Sequence, residues 1–309
     1  MLQLPAPQKF GSLKAKAAIV TGANTGLGFE SARQLLELGL SHLVVAVRST
    51  SKGKDAAAKL REANSTATID VWALYMESYD SIQAFVRKCD MELSRIDYTI
   101  LNAGLGPMAF NTVPSTGHEK TIQVNHLSTC LLTILLLPIL KAKARAVGGS
   151  PARITVVNSR PLLPSFDDTK ITRWNAEERY GVSKLLAQLF LVELAEHVNS
   201  NEVVINMVDP GLTKGTSPSR DAKGAVGVTA EAFFAIVGRT VERVAATYVD
   251  PLLGHGKESH GCFLMNTEVS PLATFFYTED GKTATRQVWE ETLKELSFAR
   301  AEEISASMK

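Results

Sequence analysis

Thr21-Gly22-Ala23-Asn24-Thr25-Gly26-Leu27-Gly28 follows the apolar run Ala17-Ala18-Ile19-Val20 and opens a stretch with helical periodicity. An apolar run, a glycine-rich turn and a helix in that order make the start of a βαβ unit that can hold a dinucleotide. The spacing is G-x-x-x-G-x-G. Gly22 permits the tight turn, Gly26 lets backbone approach a pyrophosphate at the positive end of the helix, and Gly28 allows helix and strand to pack closely. Asn24, Thr25 and Leu27 complete the predicted binding turn. No Gly-Lys-Ser/Thr follows, which excludes the P-loop of a nucleotide triphosphatase.

Outward from this turn, short β-branched runs alternate with helical patterns. Strands are predicted at 17–21, 43–47, 68–74, 99–102, 154–158 and 203–208. Helices are predicted at 26–38, 52–62, 78–93, 117–144 and 176–198. Gly39 suits a helix end, Ser78 suits an N-cap, and Pro138 is expected to bend the long helix. The alternation predicts an α/β fold: a single-domain, Rossmann-type, doubly wound parallel sheet with helices on both faces, spanning 1–309. The polar, Gly-rich stretch 211–227 is expected to be a mobile loop. Residues 283–303, with Trp289 and Leu293, read as an amphipathic C-terminal helix.

Composition narrows the classes. The 309 residues are 45% hydrophobic and 21% charged, with a net charge of +1, which gives no electrostatic argument for nucleic acid or an anionic membrane. A chain of this length can bury about 75% of its unfolded surface in one core. The three cysteines, Cys89, Cys130 and Cys262, form no C-x-x-C pair and read as reduced thiols. The histidines show no metal-ligand spacing, so no metal is expected. The apolar run 130–140 is too short to span a bilayer and reads as a buried helix, and no signal peptide is visible, so the cytosol is the expected compartment.

The second strand ends at Arg48, with Lys52 four residues on. An acidic residue there would bind the adenosine ribose 2′-hydroxyl, whereas two cations suit a 2′-phosphate and predict NADP(H); a solvated cation pair is the alternative. Tyr180 and Lys184 lie one helical turn apart, so a nearby ammonium can lower the phenol's pKa and let it exchange a proton with a carbonyl oxygen. Ser159, ending a strand, can polarise the same oxygen. A lone Y-x-x-x-K is common on helices; its weight comes from the Ser-ended strand and the dinucleotide turn before it.

With these motifs in order, the chain resembles the short-chain dehydrogenase/reductase family over essentially its whole length. Thr21 to Gly28, Asn102-Ala103-Gly104, Asn125, Ser159, Tyr180, Lys184 and Pro210-Gly211 all match family positions. The branch resembles the retinol-dehydrogenase-like reductases, especially fungal members of secondary metabolism, through Ala46-Val47-Arg48, Lys52-Gly53, Phe166-Asp167-Asp168 and Trp289 to Leu293. The resemblance implies catalytic roles for Asn125, Ser159, Tyr180 and Lys184, with Asn125 bending its helix and holding a water that links Lys184 to solvent. It implies cofactor contacts at Tyr75, Met76, Asn102, Ala103, Gly104, Pro210, Gly211 and Thr213, and ribose binding by Lys184. It also implies a homodimer or homotetramer through the long helices.

Three positions depart from the family pattern. Tyr75 stands where an Asp usually meets the adenine, Asn158 replaces a Ser before Ser159, and Gly215 lies where a Thr commonly binds the carboxamide, leaving Thr213 or Thr216 to substitute. Phe110, Met108 and Trp174 are candidate apolar walls for the substrate. The expectation is an NADP(H)-dependent reductase of an apolar ketone or aldehyde, or the reverse alcohol oxidation. Two alternatives stay open: a non-redox step such as cyclisation, dehydration or isomerisation on the same fold, and a non-catalytic cofactor-binding protein.

Overall fold

The computed structural model describes residues 10–106, 109–159, 174–211, 213 and 239–309. Strands and helices alternate as β1 (Ala17–Thr21), α1 (Gly26–Glu37), β2 (His42–Val47), α2 (Thr50–Ala63), β3 (Thr68–Ala73), α3 (Tyr79–Glu92), β4 (Tyr98–Leu101), α4 (Lys120–Ala146), β5 (Ala152–Val157), α5 (Ala176–Glu196) and β6 (Val203–Asp209). They are followed by α6 (Val241–Leu253), β7 (Phe263–Met265), β8 (Glu268–Ser270), α7 (Glu279–Glu295) and α8 (Ala301–Ala306). All eight strands form one sheet in the order β3-β2-β1-β4-β5-β6-β7-β8. It is parallel through β7, and β8 closes the edge antiparallel.

Side chains alternate along the strands and feed two cores. Ile19, Val44 and Ala46 join α3, α4 and α5 residues such as Phe85, Leu132 and Phe190. Ala18, Val20, Leu43 and Val45 join Leu35, Leu60 and Tyr248 from α1, α2 and α6 on the other face. The doubly wound sheet expected from sequence is therefore present. Strand order reverses between β1 and β4, and the crevice beyond their carboxyl ends is where ligands bind in such sheets.

Local signals set the helix ends. Gly39, at φ 88°, donates to Leu36 and Leu40 donates to Leu35, a paired C-terminal motif that only a residue at ease with positive φ permits. Ser78 caps α3 by accepting from Ser81, as predicted, and Asn175 caps α5 by accepting from Glu177 and Glu178. α4 starts later than expected because Gly117 takes φ 76°, outside helical space. It runs on through Pro138, and its departure from α geometry is a π turn at Gln123–Leu127. α4 is long and apolar enough to cross a membrane, yet Leu131, Leu132, Leu136 and Leu137 are buried against the sheet.

The C-terminal helix expected at 283–303 is two helices. Thr278 caps α7 from Gly281, so it begins earlier, and Arg300 at φ 56° breaks the chain before α8. The break lets Leu296 and Ala301 both reach the core. Strands β7 and β8 and helix α6 were not anticipated. The stretch expected as a loop at 211–227 lies outside the described residues, apart from Gly211 and Thr213. All three cysteines are free thiols, and burial pushes Cys89 up to about 12.

Candidate active site

The ends of β1 and β4 are locked together. Asn102 Nδ2 donates to the Thr21 carbonyl at 2.9 Å, and the Ala103 N–H donates to Thr21 Oγ1 at 2.8 Å. Gly22 and Gly26 take φ values of 67° and 59°, so the turn needs glycine at both positions. A Cβ on Gly28 would lie 2.4 Å from Asn102 Nδ2 and 2.8 Å from the Gly22 carbonyl. The crowding lies between the start of α1 and the residues that directly follow β1 and β4. Thr25 occupies the N-cap of α1 with no side-chain cap, and no acidic residue lies in the first turn. Asn24 and Leu27 flank these positions. A positive helix end with no anion of its own, reached across a glycine turn, fits a pyrophosphate.

At the adenosine end, Arg48 is largely exposed and Lys52 sits in the first turn of α2, capped by Ser49. Sequence reasoning missed Glu77. Its carboxylate lies 2.8 Å from Lys120 and 3.9 Å from Arg48, and it accepts from the Tyr75 phenol, raising that group's pKa. Tyr75 is half-exposed, with its N–H on Ser81 Oγ at 3.0 Å. Met76 is buried, and its carbonyl accepts from Ser128 at 2.5 Å.

At the other end of the crevice, β5 and α5 bring three side chains together. Ser159 Oγ and Tyr180 OH are 3.3 Å apart. Lys184 lies on the same face of α5, its Nζ 5.9 Å from the Tyr180 ring centre and donating to the Val157 carbonyl at 3.0 Å. Asn125, inside the π turn, accepts from the Leu105 N–H at 2.8 Å and donates to the Leu105 carbonyl and to Ser183 Oγ at 2.9 and 3.0 Å. Ser183 in turn donates to the Tyr180 carbonyl. Gly104 leaves room here, since its Cβ would sit 3.1 Å from Asn125 Oδ1 and 3.8 Å from Lys184 Nζ. Asn158 holds Ser159 by accepting its N–H at 2.8 Å.

Burial dominates the electrostatics. It draws Lys184 down to about 8, against an opposing pull from Asp209. It raises Tyr180; the Ser159 hydrogen bond acts downward, while Asp209 and Glu177 push further up. Burial is the largest influence on Tyr180, so its pKa lies above the ordinary phenol value and not below it as the Tyr–Lys spacing suggested. Asp209, just before Pro210, accepts the N–H of Gly211, which takes φ 67°. Thr213 is buried and bridges to Arg239. Gly215, Thr216, Met108 and the Phe166-Asp167-Asp168 insert lie outside the described residues. Phe110 and Trp174 meet edge to face at 5.1 Å, both partly exposed, with the Arg179 guanidinium 5.5 Å from the Trp174 ring.

Residues 16–224 match the family model for short chain dehydrogenases. The short chain dehydrogenase/reductase mfmJ of Annulohypoxylon moriforme is 46% identical, covering 99% of this chain and 91% of its own. The short chain dehydrogenase virL of Hypocrea virens is 43% identical, covering 99% and 92%. Among solved structures, the NADPH-dependent 3-quinuclidinone reductase of Rhodotorula rubra superposes with a TM-score of 0.64 at 22% identity, over 82% of this chain and 90% of that one.

Proposed function

The chain belongs to the short-chain dehydrogenase family, and from that membership we propose that it is an NADP(H)-dependent reductase of an apolar ketone or aldehyde, working reversibly as an alcohol dehydrogenase. The observation that carries the reading is the 3.3 Å approach of Ser159 and Tyr180 on the face of α5 that also bears Lys184, across the crevice from the uncapped α1 turn. The uncapped helix end and the crowding that any Cβ would cause at Gly28 are the features that fit a nicotinamide dinucleotide. Arg48 and Lys52 would hold a 2′-phosphate by charge-assisted bonds. Met76, Asn102, Ala103, Gly104, Pro210, Gly211 and Thr213 would line the cofactor's course along the strand ends, and Tyr75, held by Glu77, would face the adenine.

When bound, the reduced nicotinamide supplies a hydride to the carbonyl carbon. Ser159 Oγ–H holds the carbonyl oxygen and Tyr180 gives it the phenolic proton. A buried phenol whose pKa is raised stays protonated at neutral pH and is set to donate. Lys184 would bind the ribose hydroxyls and, with Asn125 and a bridging water, return a proton to Tyr180. Phe110 and Trp174 would form apolar walls for the substrate. The reading takes the chain as one domain acting on a small molecule in the cytosol, with self-association through the long helices.

Two measurements test this. Titration with NADPH and NADH should show tighter NADPH binding, and Arg48→Ala should weaken NADPH about tenfold or more while leaving NADH within twofold, as expected when a charged hydrogen bond of about 1.5–3 kcal/mol is lost. Tyr180→Phe should bind NADPH normally and lose turnover; retained turnover would remove Tyr180 from the chemistry.

A further inference from the structure

The match to the family model ends at residue 224, yet a helix beyond it reaches the helix that carries Asn125. α7 lies along α5, where Trp289 stacks on Phe190 at 5.0 Å and on His197 at 4.7 Å. Its last turns touch the π turn of α4 and the segment before it. His118 Nε2 meets Glu295 at 2.8 Å, and His126 Nε2 meets Thr292 Oγ1 at 3.0 Å. His126 and Thr292 are 4% and 2% exposed, so no water competes for this second bond.

The proton arrangement around His126 is constrained. Burial holds the imidazole neutral, so one ring nitrogen donates and the other accepts. Cys130 Sγ lies 3.5 Å from Nδ1, and burial keeps that thiol protonated. Two arrangements satisfy both contacts: the thiol donates to Nδ1 while Nε2–H donates to the Thr292 hydroxyl, or Nδ1–H faces the sulfur while the hydroxyl donates to Nε2. The bond needs an oxygen at position 292.

A π turn is a rare single-turn bulge within an α-helix, frequent at functional sites. Asn125 and His126 are adjacent in this turn. Asn125 is held on the active-site side by Leu105 and Ser183; His126 turns toward α7, where it meets Thr292, and packs edge to face on Phe190 of α5. We propose that His126 and Thr292 are positioning residues, whose hydrogen bond pins the π turn to α7 and so keeps Asn125 in contact with Leu105 and Ser183 beside Lys184. The consequence for catalysis rests on the proton-transfer reading above; the placement of Asn125 does not.

The Leu105 N–H is bonded to Asn125 Oδ1 and so reports where Asn125 sits. Hydrogen exchange of the full chain should be compared for the unmodified protein, Thr292→Val and Thr292→Ser. Thr292→Val should speed exchange at Leu105 and across 123–128 about tenfold, the equivalent of one ordinary buried hydrogen bond, with Thr292→Ser restored to the original rate. In parallel, kcat should fall about tenfold in Thr292→Val with NADPH affinity and KM held within twofold, and recover in Thr292→Ser. Unchanged exchange at Leu105 overturns the proposal. So does a uniform rise across all core amides, which would mean lost stability only, or a local rise with kcat unchanged. An unmodified protein that reduces no carbonyl would count against the reductase reading, and exchange at Leu105 would still decide the brace.

Discussion

Lys184→Met should make the protein more stable at neutral pH while abolishing turnover. Lys184 is 8% exposed, and burial lowers its pKa from the usual 10.5 to about 8, with Asp209's attraction already included. Because the folded value is below the unfolded one, the unfolded chain binds the extra proton between pH 8 and 10.5. Stability therefore rises with pH across that window, and below about 8 the folded state carries the full cost of a buried ammonium. The gap between the two values is worth about 3 kcal/mol. Methionine removes the ion but also the bond to the Val157 carbonyl, which contributes about 1.5 kcal/mol. The net gain at pH 7 is about 1–2 kcal/mol. At pH 10.5 and above, where the native lysine is neutral, the order should reverse by a similar amount. Urea unfolding of both proteins at pH 7 and pH 10.5 measures this. A variant less stable at pH 7, or a difference that does not change with pH, would refute the argument.

Gly28→Ala places a Cβ against Asn102 and the Gly22 carbonyl, so it should cost about 1–3 kcal/mol of stability and weaken cofactor binding. Unchanged stability and unchanged binding in this variant would contradict the packing. His126 is buried and neutral, its pKa lowered to about 3, so the unfolded chain binds its proton first as pH falls below 6.5. Stability should therefore drop by up to about 4–5 kcal/mol between pH 6.5 and 3, and in His126→Gln that acid limb should flatten in denaturation curves. Superimposable limbs would show that the site takes up no such penalty.

What sequence revealed was local. Gly22 and Gly26 state their own backbone requirements, Gly28 states a need for space, and Tyr180 and Lys184 state theirs through helical spacing. The motif order also led to Asn125 and Ser159, although each is brought to the site by a different element. Glu77 was not legible, because its meaning comes from Lys120 and Arg48 arriving beside it in three dimensions. Asp209 stood next to the recognised Pro210-Gly211 and could have been flagged as a charge at a strand end. In α6, Val244, Tyr248 and Leu252 form an apolar stripe, but Pro251 interrupts the pattern. Strands β7 and β8 have three residues each, too few for alternation to register. The left-handed turn at Arg300 carries no glycine to announce it. The phenol's shift was misjudged because spacing shows which charges are near, while burial, which dominates here, appears only in the folded chain.

The bond between His126 and Thr292 joins positions 166 residues apart. At the ribosome's pace of about 5–20 residues per second, Thr292 is made roughly 8–33 s after His126. Strands β1 to β6 are all synthesised within that interval or before it, so the nascent chain can assemble most of its sheet while the π turn still lacks its partner. Translation thus puts the completion of the site on a clock, with the last helices arriving as its final part.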